Sequence, residues 1–100
     1  MQLNDKYDFE GILVNEAENL IIKELGRQLD IIGDDKICLC EDCVLDMAAM
    51  ALNAVKPLYR VSLLGTLYAS QAMSESSYAE SVKMAVANAL EKVKKNPSHD

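Results

Sequence analysis

Three cysteines lie close together near the middle of the chain, at Cys38, Cys40 and Cys43. Thiolate sulfur is a soft ligand that suits zinc, and zinc usually takes four ligands in a tetrahedral arrangement. The spacing C-x-C-x2-C places the sulfurs on one tight loop that leads into a predicted helix, whose N-terminus favours anionic sulfur. The cluster predicts a zinc site. Core packing, redox-active thiols and a disulfide between subunits remain the alternatives.

Three cysteines supply one ligand fewer than a closed zinc site needs. The sequence offers a carboxylate of Asp42 or Asp46, a residue of a partner subunit, or water as the fourth. His99 is the single histidine of the chain and follows Pro97 in a polar tail. We expect that tail to be disordered rather than to reach the metal, because chain ends without apolar residues are seldom held down.

A second group of residues that could bind a ligand surrounds Pro57. Lys56, Tyr59 and Arg60 place two cations beside an aromatic ring. This combination suits a phosphorylated base, since the cations would meet phosphate and the ring would stack on the base. The competing interpretation is a solvated turn in which Tyr59 packs on the core.

Two polar residues interrupt the apolar stretch from Val44 to Val55. Asp46 and Asn53 are almost two helical turns apart, so a helix would place them roughly on one face. Buried polar groups need hydrogen-bond partners. Either Asp46 braces the cysteine loop while Asn53 caps the helix end, or both side chains contact a ligand.

The elements that must position these residues are predicted to be mainly helical. Apolar residues three and four positions apart predict a first helix from Phe9 to Leu29, with Asp8 as its N-cap. A loop follows at Gly33 to Asp35. The stretch Val44 to Val55 predicts a largely buried helix, which Pro57 stops because the residue before a proline avoids helical geometry.

Two further elements follow Pro57. The stretch from Tyr59 to Ala69 is rich in strand formers, and it fits a short β-hairpin or a turn followed by a short helix. Ser77 and Glu80 have the spacing of a capping box and open a helix to about Lys95. Apolar residues recur along it at heptad spacing, so this face either packs on its own core or forms a dimer seam: Ala79, Val82, Val86, Ala89 and Val93.

Length and charge narrow the class of protein. One hundred residues, half of them hydrophobic, predict one domain over 1–100, with 1–7 and 96–100 flexible. The net charge of -6 is the wrong sign for general binding to nucleic acid, although a local basic pocket can hold a small phosphorylated ligand.

Location and catalysis also follow from composition. The sequence has no signal-peptide pattern and no apolar run near the roughly 20 residues of a membrane span, so we expect a cytoplasmic protein. One histidine in a polar tail and scattered carboxylates give little on which to build an enzyme. We therefore expect a non-enzymatic protein.

The segment from Cys38 to Val61 resembles the signature of the ComFB family of late competence development proteins. The resemblance consists of the cysteine cluster, then Asp46-x-x-Ala-x-Ala-Leu-Asn53, then a Pro-x-Tyr-Val-like end that begins at Pro57 and closes at Val61. The acidic and apolar stretch Val14 to Leu20 and the C-terminal stretch Ala85 to Pro97 are similar to the family as well.

The resemblance implies a compact helical homodimer. Members with the cysteine cluster are similar to a zinc protein encoded with DNA-uptake genes, and other members are receptors for cyclic dinucleotides, chiefly cyclic di-GMP. The receptor branch commonly has Arg two positions before the proline, where this chain has Val55 beside Lys56.

Two functions are therefore expected. The first is a zinc-bound receptor for a cyclic dinucleotide at or near the dimer interface, which passes the signal to a protein effector. Its predicted metal ligands are Cys38, Cys40 and Cys43, and its predicted ligand contacts are Lys56, Tyr59, Arg60, Asn53 and Asp46. The second is a zinc-stabilised adaptor beside the competence or motility machinery, with no small ligand.

Overall fold

The computed structural model describes residues 2–61, 71 and 76–97. A single 3-10 turn precedes the main elements, at Leu3–Asp5. The described elements then run α1 (Phe9–Ile12), β1 (Val14–Asn15), α2 (Glu16–Ile32), α3 (Glu41–Asn53), β2 (Tyr59–Arg60) and α4 (Ser76–Lys95). The predicted, mainly helical class is confirmed.

The first predicted helix, from Phe9 to Leu29, is wrong in its continuity. The helical conformation stops at Ile12 and resumes at Glu16, because Val14 and Asn15 form strand β1. A strand that pairs with a distant segment has extended backbone, and the local apolar spacing cannot report that pairing.

Each of the two resulting helices has its own N-cap. The predicted cap Asp8 is confirmed for α1, since its carboxylate accepts a hydrogen bond from the Gly11 N–H at 2.8 Å. For α2 the side chain of Asn15 accepts from the Ala17 N–H at 3.1 Å. Asn15 with Glu18 three residues later is a helix-start pattern that the continuous apolar spacing concealed.

The two strands form a small antiparallel sheet. Val14 pairs with Arg60 and Asn15 pairs with Tyr59. The strand tendency after Pro57 is therefore confirmed at β2, and its partner is the distant strand β1. The rest of the predicted hairpin, residues 62–69, lies outside the described residues.

The loop between α2 and α3 begins with a glycine whose φ is positive. Gly33 has φ 88°, which costs a glycine little and a residue with a Cβ much more. The predicted turn at Asp34 and Asp35 follows. Helix α3 starts at Glu41, three residues earlier than the apolar run, because Cys40 serves as its N-cap.

The two ends of helix α4 differ in how well the sequence predicted them. Ser77 lies inside the helix, where its carbonyl accepts from the Ser81 hydroxyl at 3.0 Å, so the predicted capping box is wrong. Lys92, Lys94 and Lys95 occupy the last turn, where the helix dipole favours positive charge.

Helices α2, α3 and α4 pack around one core. The largest fully buried side chains come from all three helices: Ile21, Cys43, Met47, Val82, Val86 and Val93. The heptad face of α4 is thus used within the protomer, and a dimer would have to use another surface. Within the described residues, none of the helices combines the length and the apolar character that crossing a membrane requires.

Candidate metal centre and its surroundings

The three cysteine sulfurs form one cluster. All three lie within 4.8 Å of one another, and within the described part of the chain they are the only such group of three possible metal ligands. A zinc–sulfur bond of about 2.3 Å in a tetrahedron places sulfurs about 3.8 Å apart. The sulfurs therefore need to approach by only about 1 Å, and the donor set fits a soft divalent metal.

The start of α3 positions two of the ligands. The Cys43 N–H donates to the Cys40 sulfur at 3.5 Å, and the Val44 N–H donates to the Cys40 carbonyl at 3.0 Å. Cys43 is fully buried in the core, Cys38 is half-buried and Cys40 is exposed. The cluster thus extends from the core to the surface.

Apolar contacts hold the preceding loop. Ile37 is buried in the core beside Cys43, and Cys38 packs against the same core, whereas Leu39 points to solvent. Burial of Ile37 contributes about 2 kcal/mol. The loop is therefore anchored immediately before its first sulfur.

The fourth metal ligand, for which the sequence offers Asp42, Asp46, a partner residue or water, stays a prediction. The group of donors that the structure brings together contains the three sulfurs, and neither Asp42 nor Asp46 belongs to it. Asp46 is half-buried one turn after Cys43. His99 lies outside the described residues.

The predicted ligand contacts are spread over the end of α3 and strand β2. Asn53 ends α3 and is exposed, as are Lys56 and Tyr59. Lys56 lines one pocket and Tyr59 lines another.

Arg60 has a partner that the sequence reasoning missed. Its guanidinium forms an ion pair with the carboxylate of Glu16 at 2.5 Å, across the small sheet. The hydrogen bond from Arg60 lowers the pKa of Glu16, so this carboxylate stays ionised. One predicted ligand contact thus already has a role in the fold.

Asn15, Glu16, Leu58 and Arg60 together form what we call the clasp. The Leu58 N–H donates to the Asn15 side chain at 2.8 Å, and the Glu16 N–H donates to the Leu58 carbonyl at 2.8 Å. With the ion pair, these bonds hold the segment after Pro57 against the start of α2. The side chain of Asn15 therefore caps a helix and holds a loop at once.

The Lys56 pocket has a volume of about 550 Å³ and lies between the end of α3 and the first turns of α4. Pro57, Ser77, Tyr78 and Ser81 also line it. The Tyr78 hydroxyl donates to the Lys56 carbonyl at 2.8 Å, which fastens α4 to this loop. Burial raises the pKa of Tyr78, so the hydroxyl keeps its proton.

A second polar network joins α2 to α4. Glu24 is 8% exposed and accepts two hydrogen bonds from Arg27, at 2.9 and 2.7 Å, and one from Gln28 at 2.7 Å. Gln28 also donates to the Lys83 carbonyl at 3.1 Å. The bonds from Arg27 lower the pKa of Glu24, despite its burial.

An apolar groove opens on the N-terminal side of the sheet, with a volume of about 560 Å³. Tyr7, Phe9, Ile12, Leu13 and Val61 line it and are all exposed, and Lys6 and Asp8 add opposite charges. A continuous exposed apolar surface of this kind is typical of protein contacts.

Three packed helices and a two-stranded sheet, with a three-cysteine cluster at the start of one helix, define a small helical protein with a candidate metal centre. Residues 14–97 match the family model of the late competence development protein ComFB, so the chain belongs to the ComFB family. The predicted family is confirmed.

The fold agrees with a solved member of this family. The structure of the late competence protein ComFB from Bacillus subtilis is 25% identical, with a TM-score of 0.73, over 87% of this chain and 93% of that chain. A search of curated protein sequences finds no match.

Proposed function

We propose that this chain is a non-enzymatic, cytoplasmic regulatory protein that holds a structural zinc ion at Cys38, Cys40 and Cys43. The observation that carries the proposal is the cluster of three sulfurs within 4.8 Å at the start of α3. Bound zinc would supply a cross-link between the loop and the core. The fourth ligand would be a carboxylate of Asp42 or Asp46, a residue of a partner subunit, or water.

Metal analysis of the purified, reduced protein tests this proposal. We expect one zinc per chain, and a lower unfolding temperature after a chelator removes the metal, because metal binding contributes to folding. Cys40→Ser should lower the zinc content, whereas Ser81→Ala, at a polar position away from the cluster, should leave it unchanged. A reduced protein with well under one zinc per chain would refute the structural-metal proposal.

A cyclic dinucleotide, with cyclic di-GMP favoured, is the small ligand we propose. The Lys56 pocket supports it, because a volume of about 550 Å³ lies in the range of pockets for molecules of that size. Lys56 supplies positive charge, and Ser77 and Ser81 add hydroxyl groups. Asn53 and Asp46 stay predicted contacts.

The site would be completed by a second copy of the chain. Lys56 and Tyr59 line different pockets in one protomer, so a dimer contact that brings Tyr59 and Arg60 of one copy to Lys56 of the other would unite charge and ring. The ligand would then lie at or near the dimer interface. Binding would favour one dimer state and transmit it to a protein effector.

Calorimetric titration of cyclic di-GMP and cyclic di-AMP, on protein of known zinc content, tests the ligand. Lys56→Ala should weaken binding, because it removes a phosphate contact. Arg60→Ala should weaken it too, but that variant also breaks the ion pair with Glu16. Glu16→Gln is the matched control, since it removes the ion pair and keeps the cation.

The outcome decides between the two functions. Binding that Lys56→Ala abolishes and Glu16→Gln preserves supports the receptor. No heat and no thermal shift with either nucleotide would leave a zinc-stabilised adaptor of the competence or motility machinery. Its partner would then be a protein.

A further inference from the structure

Cys40 and Cys43 differ sharply in exposure although their sulfurs are neighbours. Cys40 lies at the surface as the N-cap of α3, and Cys43 is fully buried in the first turn of that helix. A Cys-x-x-Cys pair at a helix start, with one accessible and one protected sulfur, is an arrangement suited to thiol–disulfide chemistry. A structural role alone does not require this asymmetry.

We propose that Cys40 and Cys43 form a redox-active pair, in which a hydroperoxide oxidises the exposed sulfur and the buried sulfur closes a disulfide that expels the metal. The metal-release step rests on the proposed zinc function. The disulfide step stands on the positions of the two sulfurs alone.

The reaction balances with a hydroperoxide as the oxidant. The Cys40 sulfur attacks the peroxide O–O bond and takes up one oxygen to become a sulfenic acid, and the other oxygen leaves as water or an alcohol. The Cys43 sulfur then attacks the Cys40 sulfur, the S–S bond forms as the S–O bond breaks, and the sulfenic oxygen leaves as water. Two electrons pass from the two sulfurs to the peroxide. When both begin as thiolates, two protons are taken up.

The geometry favours this pair. The Cys40 sulfur already lies over the first turn of α3, where it accepts the Cys43 N–H at 3.5 Å. A disulfide requires the sulfurs to move from within 4.8 Å to about 2.05 Å. Cys40 can make most of that movement by side-chain rotation at the surface, whereas Cys43 is fixed by the core.

Loss of two thiolates out of three leaves the metal with Cys38 alone. A single thiolate does not hold zinc against solvent, because structural sites need four ligands. Oxidation at a surface sulfur would therefore release the metal and loosen the loop from the start of α3. The cluster would act as a switch operated from solvent.

Treatment of the reduced protein with hydrogen peroxide tests the proposal. We expect two thiols to be lost for each zinc released to a coloured chelator, and dithiothreitol with added zinc to reverse both changes. Proteolysis after Glu41 separates the two cysteines, so a Cys40–Cys43 disulfide is read directly as two linked peptides whose fragmentation assigns the sulfurs.

Two serine variants supply the matched control. On metal-free protein, Cys40→Ser should slow the loss of thiols by about tenfold or more, because the accessible sulfur is gone. Cys38→Ser should form the disulfide at the parent's rate. Cys43→Ser is avoided because a buried polar group there would disturb folding.

Two results would overturn the redox pair: a dominant disulfide that includes Cys38, or equal oxidation rates in Cys40→Ser and the parent. Retention of zinc after the Cys40–Cys43 disulfide has formed would overturn the release step. A parent without zinc refutes the metal proposal, but the thiol and peptide measurements still decide the redox pair.

Discussion

At the scale of single residues, the clasp shows how one side chain can serve two segments. The Asn15 side-chain oxygen accepts from the Ala17 N–H and from the Leu58 N–H. Both donors are backbone groups without another place in a helix or sheet ladder, and leaving such a group unsatisfied is costly. Asn15 therefore carries more of the fold than its half-exposed position indicates.

Replacement of Asn15 tests this double role. Asn15→Ala should lower the free energy of unfolding by about 2–3 kcal/mol, as it removes a helix cap and a second acceptor. Asn15→Asp keeps an acceptor oxygen and should lose less than half of that. Urea unfolding measures both variants, and equal losses for alanine and aspartate would contradict the acceptor role.

The Glu24 network predicts a dependence on pH. Its pKa is lowered below the ordinary 4.5, so the folded state holds the carboxylate charged where the unfolded chain begins to take up a proton. The resulting stabilisation is complete above pH 4.5 and is lost as the pH falls through the folded-state pKa.

Glu24→Gln isolates that contribution. We expect the parent to be more stable than the variant by about 1 kcal/mol at pH 7, because a charge-assisted hydrogen bond is replaced by a neutral one. The difference should shrink below pH 4.5. Urea unfolding at several pH values measures it, and a difference that is the same at pH 3 and pH 7 would argue against the charge.

At the scale of elements, helix α4 provides the clearest contrast between buried and exposed faces. Val86 is fully buried in the core, and Met84, two residues away, is 57% exposed. Residues that line a dimer seam would be exposed in an isolated protomer, whereas residues of the protomer's own core are already covered. The apolar heptad face of α4 belongs to the second kind.

Val86→Ala should therefore lower the free energy of unfolding by about 2 kcal/mol, from lost burial and the cavity left behind. Met84→Ala on the same helix should change it by less than about 0.5 kcal/mol. Sedimentation should show an unchanged oligomeric state for both. Dissociation of a dimer by Val86→Ala would assign this face to the subunit contact instead.

The sequence predicts the helices better than their ends. Apolar spacing found α2, α3 and α4, because burial of one helix face is a local pattern. The break at Val14 and the earlier start of α3 at Cys40 escaped it. The first depends on pairing with a strand 46 residues away at Arg60, and the second on a cysteine acting as a cap.

The candidate site also has a part that the sequence predicts and a part that it does not. The three cysteines were predictable, because close spacing in the chain nearly guarantees proximity in space, and the structure brings their sulfurs together. The role of Arg60 was not, because its partner Glu16 is far away in the chain. The positive charge of Arg60 suggested a ligand contact, and only the tertiary structure shows its ion pair with Glu16.

At the scale of the whole molecule, the chain has a flat shape and an uncovered apolar groove. Its Cα atoms extend over 45 × 34 × 18 Å, and the radius of gyration is 15.4 Å against about 13 Å for a compact domain of this length. A flat molecule presents much surface for its volume. The proposed second copy would cover part of that surface.

We expect the groove to take part in the proposed dimer. Lys6 and Asp8 at the same groove give it both signs of charge, so two copies related by a two-fold axis can pair opposite charges. Leu13→Asp should shift the sedimenting species from twice 11.0 kDa towards 11.0 kDa, because a buried carboxylate weakens an apolar contact. Ile31→Asp, at an exposed position on α2, is the matched control.

A parent that sediments at 11.0 kDa at high micromolar concentration would contradict the dimer itself. A parent dimer that Leu13→Asp leaves intact would move the contact to another surface. Dissociation by both aspartate variants would point to a general effect of added negative charge on a chain that already carries -6.

The clasp also has a consequence for the order of folding. Asn15 and Leu58 are 43 residues apart, so their hydrogen bond closes a long loop that only the helices between them can shorten. We expect the helices to associate first and the sheet to form after the rate-limiting step. Asn15→Ala should then speed unfolding and leave the folding rate nearly unchanged in stopped-flow kinetics. On the ribosome, the segment around Asn15 would wait for Arg60 to emerge before it takes its final place.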